Sequence, residues 1–229
     1  MSSAVIPTLE TALARSGMAI RGGFVPRAED AVPDLAPGRP ARALLLIGNI
    51  GGAMWPAFAA APHDDDDPMD RWTRRVIDPL AAACGATALY PSDGPPYRPF
   101  QLWARRAEGV QPSPLMIFIH PQYGLWHAYR AALLFAEDLA LPSMATGARP
   151  CDSCAGQPCL HACPVDAFTS AGFDDMRCAR HVDGPDGTEC RERGCLARRA
   201  CPVGKEYAYP PAQMAFHMQA FLARRRTSV

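Results

Sequence analysis

Eight of the nine cysteines in this 229-residue chain lie between residues 151 and 201. They are Cys151, Cys154, Cys159, Cys163, Cys178, Cys190, Cys195 and Cys201. Thiolates are soft ligands that suit iron–sulfur clusters, and eight thiolates supply two sets of four. The residue types and their spacing therefore predict a module that holds two [4Fe–4S] clusters.

The cysteine segment also contains a degenerate internal repeat. Both halves end in Ala-Cys-Pro-Val, at residues 162–165 and 200–203. This resembles bacterial ferredoxins, in which three close cysteines bind one cluster and the cysteine before proline binds the other. The resemblance implies two ligand sets: Cys151, Cys154, Cys159 and Cys201, and Cys163, Cys178, Cys190 and Cys195. Cys84 is expected to ligate nothing and to act as a small buried hydrophobe.

Two other uses of these cysteines are open. Disulfides require an even number of cysteines, but crowded cysteine pairs in a cytosolic chain favour metal binding. A structural zinc site needs closely spaced pairs, and Cys151/Cys154 with Cys190/Cys195 nearly provides them. Zinc leaves Cys159 and both Cys-Pro endings without an explanation. The spacing therefore favours iron–sulfur clusters.

Composition limits the partners of the chain. Lys and Arg together number 23, as do Asp and Glu, so net charge gives no argument for nucleic acid or an anionic membrane. Residues 1–20 lack the basic and apolar segments of a signal peptide. The apolar run 43–62 matches a transmembrane helix in length, but Gly48 and Pro56 interrupt it, which favours a strand, a turn and a helix. We expect a cytoplasmic protein without a nucleic-acid or membrane partner.

The elements that would position the cysteines follow from hydrophobic patterns. We expect a domain over 1–148 and the cysteine module over 149–229, because only Cys84 precedes the module. Strands are predicted over 43–47, 87–90 and 115–119, and helices over 8–20, from Asp67 onward and over 212–223. Residues 125–136 fit a helix, by their Ala and Leu content, and the run from Trp126 to Phe135 fits equally well a strand packed against 115–119.

The segment 120–134 carries a resemblance to a known family. It reads His-Pro-Gln-Tyr-Gly-Leu-Trp-His-Ala-Tyr-Arg followed by apolar residues, and it resembles the CblC (MMACHC) family of cobalamin-processing proteins. Residues 97–103 stand where that family carries an aromatic and Gln-rich segment against the corrin. The resemblance implies a cobalamin pocket near Phe100, Gln101, Trp103, His120, Trp126 and Arg130. Gln122 departs from the family, which has Arg there.

What the resemblance implies for single residues differs along this segment. The family's counterpart of Arg130 helps to bind glutathione, which implies that Arg130 faces a small anionic or thiol co-substrate. Read from the residues alone, Trp103 and Trp126 are more typical of core positions, since large aromatic side chains are usually buried. His120, before proline, is more typical of a strand end than of a cobalt ligand.

The cysteine module resembles that of epoxyqueuosine reductases and reductive dehalogenases. Those families place two [4Fe–4S] clusters after a cobalamin domain related to CblC, with a lone cysteine where Cys178 stands here. Together the resemblances imply an α+β protein with a CblC/flavin-reductase-like N-terminal domain and a small ferredoxin-like module. They imply a reductase that receives electrons from a donor protein and delivers them to cobalamin, for cobalamin processing or for reduction of a substrate. The alternative is a ferredoxin-type electron-transfer protein without cobalamin, and no carboxylate or tyrosine in the sequence stands out as a proton donor.

Overall fold

The computed structural model of the chain describes residues 4–63, 66–142 and 147–226. Two compact units emerge from the contacts. The first comprises residues 1–109 and 127–147, and the second comprises residues 110–126 and 148–229. The sequence predicts a boundary after residue 148, whereas in the structure the segment 110–126 packs with the cysteine-rich part.

The regular elements of the described residues are numbered here in chain order. The strands are β1 (Met18–Phe24), β2 (Ala43–Ile50), β3 (Thr87–Leu89), β4 (Gln111–Pro112), β5 (Phe118–Ile119), β6 (His127–Phe135), β7 (Phe168–Thr169) and β8 (Gly172–Phe173). The helices are α1 (Val5–Ala14), α2 (Trp55–Ala59), α3 (Pro68–Ala83), α4 (Phe100–Glu108), α5 (Pro158–His161), α6 (Asp175–Asp183), α7 (Thr188–Arg193), α8 (Leu196–Arg199) and α9 (Pro211–Arg226).

A four-stranded antiparallel sheet organises the first unit. Its order is β1-β2-β6-β3, with Leu45 opposite Leu133 at the centre. The run Ala43–Ile47 is fully buried, as expected of a central strand that is covered on both faces. Helix α3 adds Trp72 and Ile77 to this core, and α4 adds Trp103.

The structure decides the ambiguity over residues 125–136. Residues 127–135 form β6, which pairs with both β2 and β3. The segment 115–119, the partner expected from the sequence, instead pairs through Phe118–Ile119 with β4. Its Ala and Leu content favours a helix locally, but pairing and burial in the centre of a sheet outweigh propensity.

Two further predictions of single elements differ from the structure. The helix predicted over 8–20 ends at Ala14, and Met18 already begins β1. The strand predicted over 115–119 is reduced to Phe118–Ile119. Met116 has a φ of +62°, which no strand residue adopts, and Pro114 lacks the N–H that a strand ladder requires.

The remaining predicted elements match. Helix α3 begins at Pro68, directly after Asp67, and strand β3 covers most of 87–90. The predicted helix over 212–223 is contained in α9. The apolar run 43–62 forms β2, a turn and α2. Within the described ranges, no helix is both long and apolar enough to cross a bilayer.

Short helices and two small hairpins make up the second unit. The hairpins pair β4 with β5 and β7 with β8. Its apolar residues form two clusters: one is centred on Leu115, Ile119 and Leu125, and the other on Val182 and Leu222. Cysteines pack against both clusters, so each small core lies next to candidate ligands.

Candidate metal centres and cofactor site

The first candidate centre is a cavity in the second unit. Four cysteines line it: Cys151, Cys154, Cys159 and Cys201. The remaining walls include Ile119 and Val203. Ile119 belongs to β5, so the segment 110–126 closes a cavity whose thiols come from residues beyond 150.

The second candidate centre is a separate cavity of the second unit. Its cysteines are Cys163, Cys178, Cys190 and Cys195. Val182, Leu196 and Met218 supply apolar walls from α6, α8 and α9. The eight cysteines thus divide into the two groups of four that the ferredoxin-like crossing of Cys163 and Cys201 predicts. That either group binds a cluster stays a prediction.

The electrostatics of the thiols reflect this grouping. Burial, together with the neighbouring Cys195, Cys163 and Cys190, raises the pKa of Cys178 to about 12. Burial also raises the pKa of Cys159, with contributions from Cys201, Cys151 and Cys154. Each of these thiols is therefore close enough to its own group to disfavour a second thiolate. A positively charged iron centre would remove that repulsion, because metals bind the deprotonated form.

A backbone N–H group already points at one of the sulfurs. The N–H of Ala167 donates to Cys163 Sγ, in the second group, at 3.3 Å. Such hydrogen bonds stabilise a thiolate and tune an iron–sulfur centre. Four cysteines and apolar walls at each cavity, with this hydrogen bond at the second, are the donor set and surroundings that a four-iron cluster requires.

A mononuclear metal makes a different geometric demand. In residues 4–63, 66–142 and 147–226, no three His, Cys, Asp or Glu side chains form a group that could hold one metal ion. A four-iron cluster is held by four cysteines, each bound to a different iron, so its ligands line a cavity and do not converge on one point. Cys84 lies in the first unit, apart from both groups, and its thiol donates to the Ala81 carbonyl at 3.5 Å.

A tight turn fixes the end of the Cys201 loop. His120 and Gly124 exchange two backbone hydrogen bonds, at 2.8 and 3.0 Å. Gly124, with φ +55°, lies against the Val203 carbonyl, and a Cβ on Gly124 would stand 1.9 Å from that oxygen. Tyr207, which follows the loop, stacks edge-on against Tyr123. The turn and the loop after Cys201 are therefore in backbone contact.

The residues expected near a corrin occupy different environments. In α4, Trp103 is fully buried and donates its indole N–H to the Asp30 carbonyl at 2.7 Å. Phe100 is buried against Trp103, with ring centroids 4.9 Å apart. Gln101 lies exposed on the same helix. Trp103 thus has the core position that its residue type alone favours, and only Gln101 of these three presents its side chain to solvent.

Arg130 belongs to a polar network at one end of the sheet. Its Nε donates to the Asn49 side-chain oxygen at 3.2 Å. The backbone oxygen of Asn49 accepts from Arg21 at 2.9 Å, and Arg21 forms a two-bond ion pair with Glu108 at 2.8 and 2.9 Å. The Tyr129 hydroxyl donates to Glu108 at 2.5 Å. These polar groups are thus bonded to one another within the first unit.

Desolvation dominates the electrostatics of this network. Burial raises the pKa of Glu108, while Arg21 and Tyr129 partly oppose the shift. Burial also raises the pKa of Tyr129, and the Glu108 carboxylate adds to it. Arg21 has no exposed side-chain surface. A buried charge that is matched in this way holds the strands and α4 in one arrangement.

His120 and Trp126 belong to the second unit. His120 Nδ1 accepts from the backbone N–H groups of Gln122 and Tyr123, both at 3.1 Å, which makes Nδ1 the unprotonated ring nitrogen. Trp126 is buried, 5.4 Å from the Tyr209 ring, and the Arg198 guanidinium lies over it. That these side chains contact a corrin stays a prediction, as it does for Phe100, Gln101, Trp103 and Arg130.

Two features of the second unit escape sequence reasoning. The segment 110–126 contains no cysteine, so nothing in its pattern indicates that Ile119 lines a thiol cavity. Arg198 forms contacts with residues far apart in the sequence, although its place midway between Cys195 and Cys201 is visible in the spacing.

Comparisons with known proteins support the fold. No family model matches the chain, and no curated protein matches it. The solved structure of the C. elegans B12-trafficking protein CblC, a homologue of human MMACHC, has 15% identity and a TM-score of 0.55, and the match covers 96% of this chain and 94% of that one. Epoxyqueuosine reductase from Streptococcus thermophilus has 14% identity and a TM-score of 0.53, with 90% and 66% covered.

A weaker match is a reductive dehalogenase whose structure suggested a mechanism for B12-dependent dehalogenation. Its identity is 13% and its TM-score 0.48, over 90% of this chain and 34% of that chain, which is too low to carry an argument. At these identities the comparisons establish the fold alone. The predicted α+β fold with a CblC-like arrangement is confirmed.

Proposed function

We propose that this chain is a cobalamin-binding reductase that carries electrons through two [4Fe–4S] clusters. The observation that supports it best is the division of eight cysteines into two cavities of four. The division follows the ferredoxin-like pattern, in which a cysteine before proline joins the other group. It is combined with a fold similar to CblC and epoxyqueuosine reductase.

The chain's own residues would hold the clusters in apolar surroundings. Cys151, Cys154, Cys159 and Cys201 would bind one cluster, and Cys163, Cys178, Cys190 and Cys195 the other. When bound, clusters exchange single electrons and the cobalt of cobalamin performs the bond breaking, while the protein supplies position and potential. Apolar walls such as Ile119 and Leu196 would exclude water from the sulfurs, and burial is one of the factors that set a cluster's potential.

The first unit would hold the corrin. Its exposed groups around α4 include Gln101, Tyr97 and Leu102, which offer an amide and apolar surface of the kind a corrin with amide side chains requires. Trp103 would support this surface from the core without touching the ligand. Arg130, positioned by Asn49, would face a small anionic or thiol co-substrate, since a guanidinium binds a carboxylate through two parallel hydrogen bonds.

A second candidate function is electron transfer without cobalamin. It is favoured by the burial of Phe100 and Trp103 in the first unit and of His120 and Trp126 in the second, which leaves fewer side chains to contact a corrin. In that case the first unit would serve as a docking domain for a redox partner. The two functions differ in one observable, the binding of cobalamin.

Iron analysis with a cobalamin titration tests the proposal. Protein purified without oxygen should contain about eight irons, because eight thiolates suffice for two four-iron clusters. Added hydroxocobalamin should shift the corrin absorption, and reductant should then reduce cobalt at a rate that depends on the clusters. Iron without a corrin shift would leave the electron-transfer function. A colourless zinc protein, even after anaerobic reconstitution, would contradict both.

The remaining expectations about partners belong to the same proposal. An electron-donor protein would supply the clusters, as the resemblance to cobalamin-dependent reductases implies. Location in the cytoplasm and the lack of a nucleic-acid or membrane partner stay predictions from charge balance and composition. A filter-binding assay with transfer RNA and a vesicle sedimentation assay test the last two, and binding in either would contradict them.

A further inference from the structure

Arg198 lies midway in the sequence between Cys195 of the second group and Cys201 of the first. Its carbonyl accepts from the N–H of Cys201 at 3.3 Å. The N–H of Arg199, its neighbour in α8, donates to the carbonyl of Cys195 at 3.0 Å. Helix α8 thus forms a main-chain hydrogen bond with one ligand of each group.

The side chain of Arg198 is clamped in place. Its guanidinium carbon lies 4.6 Å from the ring centres of both Trp126 and Tyr209. Its Nη2 also donates to the Leu125 carbonyl at 2.5 Å. Two aromatic faces and one carbonyl therefore fix the position of a planar cation, an arrangement that suits guanidinium far better than an ammonium group.

The charge of Arg198 lacks a matching anion. Its Nε is buried and has no hydrogen-bond acceptor. Among the ion pairs of the described residues, none involves Arg198. Buried N–H groups nearly always have an acceptor, and a buried cation is costly without a negative partner.

The cluster ligands on either side can supply this negative charge. A cluster with four thiolates is anionic, and each added electron makes it more so. A fixed cation in surroundings of low dielectric stabilises the reduced form more than the oxidised form. Net charge and hydrogen bonds near the sulfurs are among the factors that set cluster potentials.

We propose that Arg198 is a positioning residue that raises the reduction potential of the clusters through its clamped, unneutralised charge. The inference rests on the proposed function, because it requires clusters at both cysteine groups. It assigns Trp126 and Tyr209 to the clamp.

The test is a potentiometric titration of the cluster-loaded full-length protein, followed by electron paramagnetic resonance. Arg198→Gln removes the charge and keeps a donor for the Leu125 carbonyl, whereas Arg198→Lys keeps the charge and loses the planar fork. Arg193→Gln is the matched control, since Arg193 is two residues from Cys195 but largely exposed. Iron content is measured for every variant.

Removal of the charge should lower the equilibrium constant for reduction of at least one cluster tenfold, which lowers its reduction potential by about 59 mV for one electron. Arg198→Lys should stay close to the wild-type potential, and Arg193→Gln should match it. Unchanged potentials in an Arg198→Gln protein that retains its iron would overturn the inference.

A structural role alone would predict a different pattern. The Lys variant, which loses the stacking, would then be disturbed as much as the Gln variant. If Arg198→Gln fails to retain iron, Arg198→Lys decides the question. A Lys variant that keeps its iron and the wild-type reduction potential supports the role of the charge. A Lys variant whose clusters are tenfold harder to reduce overturns it. Wild-type protein without iron would instead refute the proposed function, so the two failures are distinguishable.

Discussion

Replacement of Gly124 by alanine should release iron from one cluster site while the fold persists. Gly124 lies in the turn that starts at His120, and its φ of +55° is in the left-handed region. A Cβ there would stand 1.9 Å from the Val203 oxygen and 2.7 Å from the Val203 carbonyl carbon. Val203 follows Cys201 by two residues, so any movement of this backbone moves a candidate ligand.

The magnitude follows from the required displacement. The oxygen must retreat by about 1.1 Å to reach 3.0 Å, the distance below which real Cβ contacts essentially do not occur. Metal–ligand distances tolerate only about ±0.2 Å, so the shift far exceeds what a bond from Cys201 can absorb. The left-handed conformation adds about 1–2 kcal/mol for a residue with a side chain. Overpacking adds about 1–3 kcal/mol.

Anaerobic reconstitution followed by iron analysis measures the effect. Wild-type protein should hold about eight irons and Gly124→Ala about four, because only the Cys151 group loses a ligand. Gly85→Ala is the control, since Gly85 has φ +68° but a Cβ there would meet nothing within 4 Å. The free energy of unfolding of Gly85→Ala should fall only by the cost of the left-handed conformation, and this variant should keep all of its iron. The reasoning is refuted if Gly124→Ala keeps both paramagnetic signals, or if Gly85→Ala loses as much iron.

Three other predictions concern the first unit. Glu108→Gln should lower the free energy of unfolding by about 3–5 kcal/mol, because it leaves the fully buried Arg21 cation without its partner. Urea denaturation measures this change. The control is Asp138→Asn, in an exposed ion pair, which should cause no measurable change. Cys84→Ser should keep the full iron content, and loss of iron would show that the count of eight ligands is wrong. Arg130→Ala should weaken the use of a small anionic thiol more than the binding of cobalamin, which a comparison of thiol-dependent rates with equilibrium corrin titrations would reveal; equal losses would contradict an anion-facing role.

The sequence by itself determined the features that depend on local spacing and hydrophobic pattern. The run Ala43–Ile47 is apolar at every position, and it forms a strand covered on both faces. Helix α3 follows Asp67-Pro68, a pair that favours a helix start through the fixed φ of proline. The two cysteine groups were predicted from the resemblance to ferredoxins, in which the cysteine before proline joins the other group; Cys163 and Cys201 are the two cysteines that precede proline.

Only the tertiary structure decided which distant segments meet. Residues 125–136 fit two secondary structures locally, and pairing with β2 and β3 selected the strand. The pattern of 115–119 indicates a strand, but only Phe118–Ile119 form one, Met116 and Ile117 are exposed, and Ile119 lies in the wall of the first thiol cavity. The residue type of Trp126 favours a core position over a cofactor pocket, but only the structure shows that Arg198 and Tyr209 are its neighbours. Hydrophobicity determines that a side chain is buried, whereas the identity of its neighbours depends on contacts between residues far apart in the chain, which no local pattern encodes.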